Sequence, residues 1–263
     1  MTQVLLIGCG RMGGSLLKGW REAGIVDRPL VVDPALPALD GVTVAASLSE
    51  LADPLPRTVL LAVKPQMMDQ ALPPLAERLA DGALVISIAA GKTISYLAGR
   101  LGSGARIVRT MPNTPAAIGR GITVCCAGPG VDDADRGLAD RLMRAVGAVE
   151  WIEDEALMHA VTAVSGSGPA YVFLLIEALT EAGVAAGLPP ALAATLARAT
   201  VSGSGDLARL SEDPPAKLRA DVTSPGGTTA AALAVLMAAG GLTELMIRAV
   251  AAATARSEEL ARG

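Results

Sequence analysis

The sequence predicts an α/β fold in which a doubly wound, mostly parallel sheet is followed by an all-helical domain. Up to Trp151, short apolar runs alternate with amphipathic helical patterns, which is typical of a parallel sheet covered on both faces. Beyond Trp151 the strand patterns stop and only helical patterns remain. We therefore expect a sheet domain over residues 1–152 and a helical domain over residues 153–263.

The first elements carry the clearest motif. An apolar strand at residues 4–7 runs directly into Gly8-Cys9-Gly10-Arg11-Met12-Gly13, which opens an amphipathic helix. This G-x-G-x-x-G spacing lets the backbone approach a pyrophosphate at a helix start. A second strand at residues 30–32 ends in Asp33, at the interval after the last glycine that a Rossmann-like dinucleotide site requires.

Asp33 also bears on the choice of dinucleotide. Its carboxylate can accept a hydrogen bond from the ribose 2′-hydroxyl of NAD, whereas it would repel the 2′-phosphate of NADP. Residues 31–40 contain no Arg or Lys that could bind such a phosphate, so NADH is favoured. Arg11 could reach a phosphate, which weakens this inference; the alternative is a solvated arginine at the helix start.

Further strands and helices continue the alternation. The strands are expected at residues 58–63, 83–88, 106–109, 121–126 and 148–151, and the helices at 67–80, from 93 onwards and at 133–146. Ligands of such sheets lie beyond the carboxyl ends of the strands, where unusual loops occur at residues 63–66, 89–91 and 111–115. Lys64 could donate a proton there, but a tethering role is favoured. Asn113 is expected to hold a loop or the nicotinamide side of the site.

The helical domain is expected to associate with a second copy. Its helices are predicted at residues 154–164, 168–187, 189–210, 228–239 and 241–261. Several are nearly apolar on every side, for example over residues 170–176, and more than one such helix in a small domain needs a partner surface. We therefore expect at least a homodimer, formed through this domain.

A loop at residues 221–231 feeds into one of these helices. Pro225 fixes the backbone, Gly226 and Gly227 permit unusual angles, and an Ala-rich run follows Thr229. The bare N–H groups of such a helix start, with the hydroxyls of Ser224, Thr228 and Thr229, would suit a small carboxylate. A capped helix after a tight turn is the equally simple alternative.

Composition excludes several classes of function. The net charge is −4, no basic block occurs and only 2% of residues are aromatic, so nucleic acid is not an expected partner. Three cysteines cannot build a disulfide framework, and the N-terminus lacks a signal-peptide pattern, which together indicate the cytoplasm. Residues 222–243 are uncharged, but we expect a buried helix rather than a membrane span. The single histidine, His159, is expected to be structural, and no metal site is predicted.

Six motifs together resemble the pyrroline-5-carboxylate reductase family. They are I-G-C-G-R-M-G at 7–13, A-V-K-P-Q at 62–66, I-A-A-G at 88–91, M-P-N-T-P-A at 111–116, S-G-S-G-P-A-Y at 165–171 and V-T-S-P-G-G-T-T at 222–229. They occur in the family's order and span almost the whole chain. The resemblance implies NAD(P)H-dependent reduction of 1-pyrroline-5-carboxylate to L-proline, in a dimer with interlocked helical domains or in rings of such dimers.

The resemblance also implies roles for individual residues. The cofactor would be held by the glycine motif, Ala62-Val63-Lys64-Pro65, Ala89-Ala90-Gly91 and, near them, Asp221. The substrate carboxylate would be held by the loop from Ser224 to Thr229, chiefly by the Thr228 N–H and by Thr229, with Glu155 and Glu212 also near the substrate. The Thr229 hydroxyl could bond the ring nitrogen, and either glutamate could favour its charged form.

The chain departs from the family pattern at two cofactor positions, and two other functions are weighed against it. Arg11 stands where the family often has Asn, and Ala220 stands where it has an acid, with Asp221 one place later. A β-hydroxyacid-type dehydrogenase would need a catalytic Lys in the first helices of the second domain, but residues 154–210 contain none. A non-catalytic NAD-binding regulatory protein would not need the polar S-P-G-G-T-T pocket.

Overall fold

The computed structural model describes residues 3–36, 38–102 and 104–262, which form two compact units. One unit comprises Met1–Gly166 together with Ala253–Gly263, and the other comprises Ser167–Ala252. The predicted domain boundary between residues 152 and 153 stays a prediction.

The first unit is built on a sheet of eight strands within the described residues. They are β1 (Leu5–Ile7), β2 (Leu30–Val32), β3 (Thr43–Ala45), β4 (Thr58–Leu61), β5 (Leu84–Ser87), β6 (Arg106–Met111), β7 (Gly121–Ala127) and β8 (Gly147–Ile152). Their spatial order is β3-β2-β1-β4-β5-β6-β7-β8, and the β6–β7 pair is antiparallel while the other neighbours run parallel. The predicted doubly wound, mostly parallel sheet is confirmed.

Helices cover both faces of this sheet. They are α1 (Arg11–Glu22), α2 (Met68–Ala76), α3 (Ile94–Leu101) and α4 (Asp133–Arg144). Successive strand residues point to opposite faces, so Leu5 and Ile7 join one buried cluster and Leu6 joins the other. The fully buried Trp20 of α1 ties its helix to α4, because its indole Nε1 donates to the Leu142 carbonyl at 2.8 Å.

The segment after β8 is less regular than the single helix predicted there. A 3₁₀ turn (Glu155–Leu157) leads into α5 (Met158–Val161), and a π-helical turn (Thr162–Gly166) follows. The only histidine lies in α5, and its Nδ1 is 3.0 Å from the Oγ of the buried Ser257. This contact fits a structural histidine.

The second unit is helical, as predicted. It contains α6 (Gly168–Ala185), α7 (Pro190–Leu210), α8 (Pro215–Asp221), α9 (Thr228–Leu236) and most of α10 (Leu242–Arg262). Small residues let α6 and α7 approach closely, since a Cβ placed on Gly183 would lie 3.1 Å from the Ala193 Cβ. Large apolar side chains of α6 remain on the surface, including Phe173 and Leu174, which are 59% and 62% exposed.

One helical run among the described residues, Glu155–Ala185, has the length and apolar composition to cross a membrane, and 6% of its most apolar window is buried. The expectation of a buried helix at 222–243 is not met within the chain, because no residue of α9 is buried; α9 is also only nine residues long and too short to span a bilayer.

Candidate functional site

The glycine motif forms a tight turn between β1 and α1. Gly8 has a φ of +93°, and a Cβ on it would lie 2.8 Å from the Ala62 carbonyl carbon. A Cβ on Gly13 would collide with the Gly8 carbonyl oxygen. Gly10, the residue before α1, has open space where a side chain would project. The turn therefore offers a bare helix start with room for an anion.

Asp33 is anchored to this turn. Its Oδ2 accepts the Cys9 N–H at 2.6 Å, and its Oδ1 accepts the Ala35 N–H at 2.9 Å. Burial and the Asp33 charge raise the pKa of the Cys9 thiol. The carboxylate predicted to read the ribose is thus fixed beside the glycine motif.

A cavity of about 520 Å³ opens between the glycine turn and the start of α2. Six predicted cofactor residues line it, namely Gly8, Gly10, Asp33, Ala62, Val63 and Lys64. The cavity wall also contains Ser47 and Gln70, which sequence reasoning missed. Ser47 follows β3, a strand that was not predicted.

The other predicted cofactor residues of this unit lie along the same chain segments. Cys9, Arg11, Met12 and Gly13 belong to the glycine turn and the first turn of α1, and Pro65 opens a 3₁₀ turn next to Lys64. Ala89, Ala90 and Gly91 follow β5, and Asn113 follows β6, at the carboxyl ends of two neighbouring parallel strands. The loops that the sequence predicts at the cleft therefore lie at the carboxyl ends of the strands.

Asn113 holds backbone segments together. Its Oδ1 accepts the Ile122 N–H at 2.9 Å, and its Nδ2 lies 3.4 Å from both the carbonyl oxygen and the Oγ of Ser165. The amide therefore joins the M-P-N-T-P loop to β7 and to the π-helical turn.

Glu155 makes contacts that the resemblance did not imply. Its Oε1 accepts hydrogen bonds from the Arg109 guanidinium and from the Ile94 N–H, each at 2.8 Å. Arg109 is 3% exposed, so its buried guanidinium is paired with this carboxylate rather than with water.

The predicted substrate loop lies in the second unit. Gly226 has a φ of +71°, Gly227 is the residue before α9, and no side chain caps this helix start. The Gly227 N–H bonds the Ser224 carbonyl at 3.0 Å, which closes a turn. Thr228 and Thr229 begin α9, so their N–H groups have no carbonyl one turn earlier in the helix to bond.

Two acidic residues of the second unit have less distinctive surroundings. Asp221 ends α8 and accepts from the Lys217 ammonium at 2.7 Å. Glu212 is exposed between α7 and α8. Neither observation places them at a ligand.

Comparisons with known proteins agree over nearly the whole chain. Residues 155–260 match the family model for pyrroline-5-carboxylate reductase dimerisation, and residues 3–91 match the model for NADP oxidoreductases that depend on coenzyme F420. The pyrroline-5-carboxylate reductase of Pseudomonas aeruginosa is 40% identical over 269 residues, covering 98% of this chain and 97% of that protein.

Solved structures give the same result. The Coxiella burnetii pyrroline-5-carboxylate reductase superposes with a TM-score of 0.90 at 37% identity, covering 98% of each chain. The Plasmodium falciparum pyrroline carboxylate reductase with NADP bound has a TM-score of 0.80 at 31% identity, covering 98% of this chain and 99% of that one. The chain therefore belongs to the pyrroline-5-carboxylate reductase family.

Proposed function

We propose that this chain reduces 1-pyrroline-5-carboxylate to L-proline with NAD(P)H. The observation that carries the proposal is the match to this family over nearly the full length, at 39% and 40% identity to the pea and Pseudomonas enzymes. Such a reaction needs a site for the dinucleotide and a site for the substrate carboxylate. The glycine turn with the anchored Asp33 suits the first, and the bare start of α9 suits the second.

The first unit would hold the dinucleotide. The helix start after Gly10 suits the pyrophosphate, because that position has room and the α1 N–H groups point to it. The cavity beside Asp33 suits the adenosine ribose. The cofactor supplies a hydride from nicotinamide C4. An NADH preference is part of the proposal, supported by the Asp33 charge.

The start of α9 would hold the substrate carboxylate. Ser224, Gly226, Gly227 and Thr228 shape the turn, and the helix dipole favours an anion there. The Thr229 hydroxyl would bond the ring nitrogen. Hydride addition to a protonated C=N bond leaves a neutral secondary amine, so the protein needs to align the two carbons and stabilise the iminium more than it needs a strong acid.

A homodimer formed through the helical domain, located in the cytoplasm, completes the proposal. The match to a dimerisation family and the exposed apolar side chains of α6 support association of two copies. The same association would cover the apolar run Glu155–Ala185. Part of each active site would then come from the partner subunit.

The direct test follows NADH or NADPH oxidation with the cyclic imine as substrate. Thr229→Ala should raise the imine KM and lower kcat about tenfold or more, because a hydrogen bond to a charged group is lost, while the dissociation constant for NAD(P)H stays the same. Thr223→Ala is the matched control, since that hydroxyl is already bonded to the Arg219 carbonyl at 2.6 Å. Equal kinetics in the two variants would refute the role of Thr229.

A further inference from the structure

An ion pair with a buried arginine lies beside the end of β5, the strand that leads into the loop Ala89-Ala90-Gly91, which we call the A-A-G loop. Arg109 sits in β6, next to the strand β5 that leads into this loop, and is almost completely buried. Its guanidinium Nη1 is 2.8 Å from the Glu155 Oε1. A guanidinium with so little water around it needs a carboxylate partner, and Glu155 supplies it.

The same carboxylate also fixes the start of α3. The Ile94 N–H donates to the Glu155 Oε1 at 2.8 Å, and Ile94 is the first residue of that helix. A carboxylate at a helix N-terminus is stabilised by the helix dipole. Because α3 begins three residues after Gly91, the bond from Ile94 to Glu155 holds the chain just beyond the A-A-G loop.

The loop is confined at two further points. At its start, the Ala89 N–H lies 3.3 Å from the Ser87 Oγ at the end of β5. At its end, Gly91 has a φ of +74°, and a Cβ there would lie 3.4 Å from the Leu260 carbonyl oxygen of α10. The loop is therefore bonded to β5 at its start, passes close to α10 at Gly91, and is followed by the bond from Ile94 to Glu155.

We propose that Glu155 is a positioning residue, which together with Arg109 holds the A-A-G loop in the conformation that receives the cofactor, rather than a ligand of the substrate. The inference rests on the proposed function, because it takes the A-A-G loop as part of the dinucleotide site. It reassigns Glu155, whose Oε1 already carries two hydrogen bonds within the sheet unit.

Glu155→Gln keeps the shape and removes the charge. We expect the dissociation constant for NAD(P)H, measured by fluorescence titration without substrate, to rise about tenfold, a change typical of coupling between neighbouring groups. The imine KM at saturating cofactor should change by less than about twofold. The reverse pattern, an unchanged cofactor constant with a raised imine KM, would overturn the proposal and restore Glu155 as a substrate ligand.

Glu153→Gln is the matched control. Glu153 lies two residues earlier on the same connection and pairs with Arg136 at 3.0 Å, but its side chain is 80% exposed. An exposed ion pair contributes little to stability, so this variant should keep the wild-type dissociation constant for NAD(P)H. If Glu153→Gln lost as much cofactor affinity as Glu155→Gln, any change of charge in this segment would weaken cofactor binding, which would contradict the proposal.

A double variant tests whether the two residues act as a pair. Arg109→Met alone should weaken cofactor binding about as much as Glu155→Gln, and the double variant should be no weaker than either, because it buries no unpaired charge. If the losses of cofactor affinity in the two single variants multiplied in the double variant, the two residues would not act as a pair. If Glu155→Gln does not fold, the double variant carries the same comparison of cofactor constant and imine KM.

The two proposals fail in different ways. If the wild-type chain binds NAD(P)H but does not reduce the imine, the proposed function is refuted, and the cofactor titrations of the variants still test Glu155. If the wild-type chain reduces the imine and Glu155→Gln binds NAD(P)H normally, the positioning role alone is refuted.

Discussion

At the scale of single residues, Asp33 is the side chain that we propose to contact the ribose of the dinucleotide. Its two carboxylate oxygens accept the Cys9 and Ala35 N–H groups, so the charge is held beside the glycine turn rather than free to swing away. A 2′-phosphate arriving within about 4–6 Å would meet a repulsion of about 3–4 kcal/mol at an effective dielectric constant of about 20.

Asp33→Asn should therefore shift the cofactor preference. The amide oxygen can still accept a backbone N–H while the charge is gone, so the ratio of kcat/KM for NADPH to that for NADH should rise about tenfold or more. The exposed Asp40, in the same region, gives the control variant Asp40→Asn, which should leave the ratio unchanged. A ratio unaffected by Asp33→Asn would contradict the assignment.

The cysteines offer a second residue-scale prediction. Cys125 and Cys126 are buried in β7, and burial is the first cause that raises the pKa of each, for Cys125 to about 12. Cys9 is partly exposed, and burial and Asp33 raise its pKa as well. A raised thiol pKa lowers the fraction of reactive thiolate, so reaction should be slow at neutral pH and speed up as the pH rises.

The native protein should therefore titrate as one slow thiol with a disulfide reagent. NAD(P)H should protect that thiol, because Cys9 lies within the glycine turn, whereas all three cysteines should react after denaturation. Cys9→Ser should abolish the native signal. Rapid modification of two or three thiols in the folded protein would contradict the burial of Cys125 and Cys126.

At the scale of elements, two glycines of the turn between β1 and α1 have different roles, one in folding and one in cofactor binding. A methyl group on Gly13 would collide with the Gly8 carbonyl oxygen, whereas one on Gly10 meets no atom within 4 Å. Gly13→Ala should therefore lower the melting temperature of the cofactor-free protein as well as its cofactor affinity.

Gly10→Ala is the matched variant, and its pattern should differ. The cofactor-free protein should melt as the wild type does, because the methyl group has room. Its cofactor affinity should still fall, about tenfold or more, because the second glycine of the motif is where backbone approaches the pyrophosphate. Thermal unfolding with and without NAD(P)H measures both effects. Equal melting behaviour of the two variants would contradict the packing seen around Gly13.

The elements also show what local pattern could predict. Strands β1, β2 and β4 to β8 were predicted, because apolar or alternating runs indicate burial directly. The three-residue β3 was missed, because its T-V-A run lacks the apolar character of the equally short β1 and β2 and passes from an exposed to a buried residue. Helix α8 was missed because two consecutive prolines, Pro214 and Pro215, are typical of a loop, although Pro215 occupies the first helical position, where proline is tolerated.

The candidate site was predictable to a similar degree. The glycine motif and Asp33 have fixed spacing along the chain, and the structure brings them together. The partners of Glu155 could not be predicted, because Arg109 and Ile94 lie 46 and 61 residues away in sequence and meet it only through the fold. Contacts of that separation leave no local pattern.

At the scale of the whole molecule, the helical unit leaves apolar side chains exposed within a single chain. Its helices α6 and α9 bury no residue fully, and the apolar side chains Phe173 and Leu174 are more than half exposed. Soluble proteins rarely leave such apolar faces uncovered. A second copy is the partner that the dimerisation-family match supports, and a substitution in a two-fold interface alters the surfaces of both subunits at once.

Phe173→Glu should therefore turn the proposed dimer into a monomer. Each phenylalanine contributes about 1.5–3 kcal/mol when buried, and a charge in an apolar interface adds a further penalty, so the dimer dissociation constant should rise at least about a hundredfold. Light scattering after size exclusion should show one chain per particle, and activity should be lost if the site draws on both subunits as proposed. Ile118→Glu is the control: Ile118 is 76% exposed in the sheet unit, so the same substitution there should leave a dimer. A Phe173→Glu variant that remains dimeric would contradict association through α6.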